Sequence, residues 1–391
     1  MERLHHLALN SLPGVGPVMS RRLLDAFETA EQVFQVSTHD LTEVSGIGDL
    51  LAARIHAGFS DVSIMHRAEA ELAFVDKFKI RMLMYGQPGY PARFTNAADC
   101  PALLFVKGNV DLDTAKVVSV VGTRHATAYG KALCTDLMEK LAAHGVLIVS
   151  GLAWGIDIAA HREALRNGLP TVAVLAHGLR HLYPPEHRST AEKMLATGAL
   201  VTEFYSDSPA VSQNFPKRNR IIAGLADATI VVEAAPGGGA LITAGIASSY
   251  EREVFAFPGR ANDPYSRGCL EMIRDNQAQL ITSAEDFIGF MNWDLHLPDN
   301  RQTGENGTES GLNSAPGAFT TGSSGQFSGR PQLTDPVEIQ LVLFLHQEQK
   351  CGLDKIASRF PDFATRLPGI LLKLELKGVI RQLPGKQFEC C

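Results

Sequence analysis

The sequence predicts an α/β protein: an extended Rossmann-like core built on a parallel sheet, with an N-terminal helical domain and a C-terminal winged helix. Three observations predict it. From Val117 onward, short apolar runs alternate with amphipathic helical runs at the spacing of βαβ units. Near the start, Leu12-Pro-Gly-Val-Gly16 and Val44-Ser-Gly-Ile-Gly48 repeat one small turn, each ahead of an apolar helical pattern. Past Asp335, three helical runs lead into a hairpin pattern. The 391 residues therefore divide into a SAM-like or helix-hairpin-helix domain at 1–75, the core at 76–297, a linker at 298–333 and a winged helix at 334–391.

In the first segment the two turns precede helices at Met19 to Phe27 and Leu50 to Ile55. In a helix-hairpin-helix, such a turn lets backbone N–H groups reach a phosphate without regard to base sequence. Few lysines flank the turns, so a small interaction bundle with glycine-capped helices is the alternative.

In the core, Ile80 to Tyr85 and Leu103 to Lys107 are strand-like and bracket a proline-rich passage, Pro88 to Pro101. Val117 to Val121 is an apolar strand, Gly122-Thr-Arg-His125 a turn and Gly130 to His144 a helix. Val146 to Val149 is the next strand, followed by a glycine-rich turn at Ser150 to Asp157 and a helix at Ile158 to Asn167. Further strands fall at Thr171 to Leu175, Ala199 to Val201, Ala228 to Val232 and Glu253 to Ala256.

The chemistry concentrates between Gln213 and Ile246. An aromatic and a cationic cluster, Phe215, Lys217, Arg218 and Arg220, precede a short helical run at Ile221 to Leu225. The strand at Ala228 is broken by Pro236 to Gly239, and a small-residue helix starts at about Leu241. A strand, a glycine turn and a helix N-terminus form an anion site, since N–H groups and the helix dipole both favour negative charge. Cations and an aromatic beside it suit a phosphate ester carrying a stackable base. Ligands of open parallel sheets sit beyond the carboxyl ends of the strands. Gly122, Thr123, Arg124, Ser150, Gly151, Gly237, Gly238 and Gly239 all fall there.

Other chemistries fit less well. The first turn reads GTRHATAYG, not GxGxxG, and no acid ends the second strand, which argues against a nicotinamide dehydrogenase. Asp157 and His161 lie four apart at a helix start, a pairing more often structural than catalytic. The thirteen histidines show no metal-ligand spacing. The six cysteines are scattered without CxxC pairs, as in a reduced, cytoplasmic protein. No leader pattern or membrane-length apolar run is found. A net charge of -6 restricts any nucleic-acid contact to a local patch.

The core resembles the DNA-processing protein A (DprA, or Smf) family. The matching phrases are Val121-Gly-Thr-Arg124, the run from Ser150 to His161, Tyr183-Pro-Pro185, and Asn214-Phe-Pro-Lys-Arg-Asn-Arg220 with its continuation to Gly224. Val232-Glu-Ala234, Leu241-Ile-Thr243 and Phe257-Pro-Gly259 follow in the family's order. The resemblance implies a homodimeric, single-stranded-DNA-binding mediator that protects incoming DNA in natural transformation and loads the RecA recombinase. It implies no catalytic residue, no metal and no cofactor. The family's DNA-contacting arginine corresponds to Arg124, and its basic-aromatic motif to Asn214, Phe215, Lys217, Arg218, Asn219 and Arg220. Two departures stand out. Gly238-Gly-Ala240 replaces a serine-glycine-serine, removing a hydroxyl, and Gly268-Cys-Leu270 replaces a run ending in asparagine. Pro236-Gly-Gly238 also resembles nucleoside-monophosphate phosphoribohydrolases, but the second half of that pattern fails at Ala240-Leu241. An interaction scaffold with a vestigial pocket is the third reading.

Overall fold

The apolar runs assemble into one nine-stranded sheet. The strands are β1 (Arg81–Met84), β2 (Leu103–Gly108), β3 (Val117–Val121), β4 (Leu147–Ser150), β5 (Thr171–Val174), β6 (Ala199–Thr202), β7 (Ala228–Val231), β8 (Glu253–Ala256) and β9 (Gln279–Leu280). Their order is β1-β2-β6-β5-β4-β3-β7-β8-β9. The computed structural model describes residues 1–58 and 60–293, and from the C-terminal segment 341–342, 344–345, 351–352, 355–356, 359–360, 367–376, 379–383 and 387–390.

All neighbours from β6 through β9 pair in parallel, whereas β1 with β2 and β2 with β6 are antiparallel. Two antiparallel strands therefore extend one edge of the parallel core. Hydrophobic periodicity locates a strand but carries no sign of its pairing direction, which the sheet partner decides.

The central strands are apolar at nearly every position because both faces are covered. Val117 and Val121 of β3 face one core with Leu147, Val149, Val172, Val174 and Val231. Val118 and Val120 face the other with Ile148, Ile230 and Phe255. Full burial of each such side chain contributes about 1.5–3 kcal/mol. The two buried hydroxyls between the strands satisfy one another, with Ser119 Oγ 2.7 Å from Thr229 Oγ1.

Six helices precede β1, among them Glu2–Ser11, Pro17–Phe27, Asp49–Gly58 and Val62–Lys77. Their core, including Leu7, Leu23, Val33 and Ile55, continues onto Leu103 and Phe105 of β2 and onto Tyr205. Buried Glu71 accepts from the Ser206 amide (2.9 Å) and hydroxyl (2.7 Å), clamping the long helix to the chain beyond β6. Each repeated turn is latched by the arginine of the other's helix. Arg54 donates to the Pro13 carbonyl at 2.8 Å and Arg22 to the Ser45 carbonyl at 2.7 Å.

Residues 1–300 form one compact unit and residues 301–391 another. The second contains a helix at Leu367–Leu376 and the antiparallel strands Cys351–Gly352, Ile380–Leu383 and Gln387–Cys390, around Leu341, Leu371, Leu374 and Phe388. The third expected helix and the antiparallel pairing of the two strands expected after it are present there. Much of its first two helices, and all of the linker expected at 298–333, lie outside the described residues. No described helix is long and apolar enough to cross a membrane.

Candidate nucleic-acid interface

The carboxyl ends of β3 and β7, with the turn after β4, enclose a cavity of about 310 Å³. Its near wall is the turn after β3. There the Thr123 amide donates to the Glu233 carbonyl at 2.7 Å, and Ile156 N donates to Thr123 O at 3.1 Å. Gly122 is required by this closeness, because a Cβ would lie 2.4 Å from Ile156 Cγ1. The far wall is the N-terminus of the helix Gly239–Ser249, entered through Gly237 at φ +71°. Its dipole places positive potential at the cavity.

The basic cluster is not a loop ahead of a short helix. All of it lies on one helix, Asn214–Gly224, with Pro216 in the first turn, where a missing N–H costs nothing. Burial then sorts its cations. Arg218 is only 4% exposed. Its Nη1 donates to the carbonyls of Gly151 and Val174, both at 2.6 Å, and its Nε donates to Asn219 Oδ1 at 3.2 Å. Burial lowers its pKa to about 10, against the pull of Asp157. Burial likewise raises the pKa of Asp157, opposed by Arg218 and by amide bonds from Ala153 (3.3 Å) and Gly151 (3.2 Å). Arg220 is also buried, paired with Glu203 and donating to the Asp99 carbonyl.

Arg124 and Lys217 differ. Both are exposed, and neither forms an ion pair among the described residues. The Arg124 guanidinium stands 5.4 Å from the ring centroid of half-buried Phe215.

The cavity thus brings together Gly122, Thr123 and Arg124 of the turn after β3 with Phe215, Arg218 and Asn219 of one helix. Gly238 and Gly239 of the glycine turn complete its lining. Lys217 and Arg220 line a neighbouring cleft that shares Pro216 with it. Ser150 lies beneath, its hydroxyl donating to Val120 O at 2.6 Å, and Gly151 makes room for Arg218, whose Nη1 would be 2.3 Å from an added Cβ. Asn214 is buried, with Nδ2 3.4 Å from the Pro209 carbonyl. Gly237 shapes the turn without lining the cavity.

Glu233 and Thr127 were not singled out by the sequence. Buried Glu233 accepts from the Thr127 amide (2.9 Å) and hydroxyl, bracing the Arg124 turn from behind. An acid immediately after a strand end was the available signal. His161 makes no pair with Asp157. Its Nδ1 lies 2.7 Å from Thr171 Oγ1, and burial lowers its pKa to about 3. Glu2, His5 and Glu31 carry potential ligand atoms within 4.8 Å of one another, but Glu2 is already engaged by the Ala30 amide at 3.0 Å and by His6 at 3.2 Å.

Comparison with known proteins adds the following. The profile of the DNA recombination-mediator protein A family matches residues 81–292, and that of the SAM-like helix-hairpin-helix tandem matches residues 7–61. Protein Smf of Synechocystis sp. is 32% identical over 406 aligned positions, spanning 99% of this chain and 98% of that protein. The crystal structure of DNA processing protein A from Streptococcus pneumoniae is similar at 32% identity and a TM-score of 0.61, covering 73% of this chain and 96% of that one. The Helicobacter pylori DNA processing protein A, described for its single-stranded DNA binding mode, is similar at 30% identity and a TM-score of 0.51. That match covers 56% of this chain and 98% of the other.

Proposed function

The chain belongs to the DNA recombination-mediator protein A family, and from that premise we propose that it is a single-stranded-DNA-binding mediator. It protects incoming DNA during natural transformation and delivers the strand to the RecA recombinase, acting as a homodimer in the cytoplasm and without turnover. One observation carries the DNA-binding part. At the strand ends, exposed Arg124 stands over the Phe215 ring, opposite a glycine-lined helix N-terminus. Cation and helix amides suit a phosphate, and the aromatic suits an unpaired base. The H. pylori relative's single-stranded DNA binding supports the same ligand. The RecA and dimer parts rest on the family resemblance.

Within this function the expected contacts divide. Arg124, Lys217 and Phe215 touch the strand, with Thr123, Asn219 and the amides around Gly238 and Gly239 completing the phosphate cradle. Arg220, Ser150, Gly151 and Asn214 act as positioning residues, because their polar groups are engaged by acids, carbonyls and close packing, and Arg218, which also lines the cavity, is held by Nη1 and Nε. Ala240 withholds a hydroxyl but leaves the helix amides in place. No acid–base pair suited to the phosphoribohydrolase reading is brought together at the cavity: Asp157 accepts from the Gly151 and Ala153 amides, and His161 lies on Thr171 instead. Fluorescence anisotropy with a labelled poly-dT oligonucleotide and a matched duplex, each at two salt concentrations, tests the proposal. Tight, salt-sensitive preference for the single strand is expected. Preference for the duplex, or no binding, overturns it.

A further inference from the structure

Two further aromatics lie beside residues that line the cavity, Trp154 next to Ala153 and Tyr183 against Phe215. Trp154 is 44% exposed and Tyr183 is 48% exposed, although each is a large apolar surface next to a cationic turn. Neither is loosely held. The Trp154 indole meets the His187 ring edge-on, with centroids 4.5 Å apart. His187 is itself fixed by Nδ1 donating to the Leu152 carbonyl at 2.7 Å. The following residue, Gly155, has φ +81° and presses on the Arg124 turn so closely that a Cβ would lie 2.1 Å from Thr123 O. The preceding residue, Ala153, lines the same cavity as Phe215. On the other flank, the Tyr183 ring lies 6.2 Å from Phe215, edge-on, and the Tyr183 amide donates to His177 Nε2 at 3.2 Å.

An aromatic whose backbone and one ring edge are fixed, with its other surface in solvent, loses little conformational freedom when a flat partner stacks on it. The cavity, at about 310 Å³, lies at the small end of ligand sites and holds one nucleotide, not a run of them. We propose that Trp154 and Tyr183 are base-stacking positions for the nucleotides flanking the one in the cavity, so that the strand's footprint continues across the 152–155 turn and the 177–184 loop. This rests on the single-stranded-DNA reading of the cavity. The ligand class is unpaired bases of any sequence, since stacking uses the π-face that every base has.

Only two tryptophans are present, Trp154 and Trp293. In the full chain carrying Trp293→Phe, emission reports Trp154 alone. Titration with an oligo-dT strand should quench it in step with binding followed by anisotropy. An abasic strand of equal length should bind through its phosphates without quenching. Trp154→Ala and Tyr183→Ala should each weaken oligo-dT binding about tenfold. Both should leave the abasic strand's affinity and salt slope unchanged. Oligo-dT binding at full affinity to both variants, with no change in Trp154 emission, overturns the stacking rim while the cavity's DNA reading stands. Emission that shifts with protein concentration alone would assign this face to contact between copies, and would also overturn it. If neither strand binds, the DNA reading itself fails and the rim fails with it.

Discussion

Cations of the same chemistry on the helix Asn214–Gly224 meet opposite surroundings. Lys217 is exposed, and half-buried Phe215 lies beneath the exposed guanidinium of Arg124. Arg218 and Arg220 are buried, the first holding the Gly151 and Val174 carbonyls and the second paired with Glu203. A basic motif is thus part exposed surface and part strut. Which part a residue plays depends on what the fold places against it, not on its charge.

The largest expected effect comes from breaking a buried strut. Arg218→Ala strands the Gly151 and Val174 carbonyls and removes the cation that opposes the upward pKa shift of buried Asp157. A loss of about 1–3 kcal/mol in folding stability for each stranded carbonyl follows, readable by urea denaturation. Any weakening of DNA binding by this variant should accompany that loss of stability. A variant as stable as the parent would place Arg218 on the ligand side.

The buried floor under the 150–155 turn also predicts a pH dependence. His161 titrates near 6.5 in an unfolded chain and at about 3 when folded, where burial and then the nearby His187 and Arg218 disfavour its charge. Between those values the unfolded chain binds a proton that the folded one does not. His161 therefore makes stability fall as pH drops from 6.5 toward 3, by about 1.4 kcal/mol per pH unit. Asp157 and Glu203, whose pKa values are raised by burial, act with the opposite sign, since their contribution is lost as pH rises through the folded values. The difference between His161→Asn and the parent isolates the histidine. The variant's stability should fall less steeply with acidification, and parallel curves would remove His161 from the account.

Glycine substitutions give a smaller contrast. Gly151→Ala drives a methyl into the Arg218 guanidinium and should cost about 1–3 kcal/mol. At Gly239 an added Cβ meets nothing within 4 Å, so Gly239→Ala should stay within about 0.5 kcal/mol of the parent. Thermal melts of the pair check both.

Much of this was legible in the chain. Val117–Val121 is apolar at four of five positions, so a strand buried on both faces could be placed to the residue. The glycines after Val121 and around Gly238 located the crevice because ligands gather at strand ends. The roles of individual polar residues were less visible. The Ser150 hydroxyl turns inward to Val120, Arg218 is claimed by the Gly151 and Val174 carbonyls, and Arg220 by Glu203, all from distant elements. Tertiary partners of that kind leave no local periodicity. Nor did periodicity register the helix over 214–220, where a polar run follows an early proline.

The smallest stability effects belong to the exposed cations. Arg124→Ala and Lys217→Ala should each leave folding within about 0.5 kcal/mol of the parent. The measurement that bears most directly on the division between exposed and buried cations is the salt dependence of oligo-dT affinity for Arg124→Ala beside the parent. If Arg124 neutralises a phosphate, the slope of log affinity against log salt should become shallower by about 0.7 in the variant. An unchanged slope at unchanged affinity would contradict the assignment of the exposed cations to DNA.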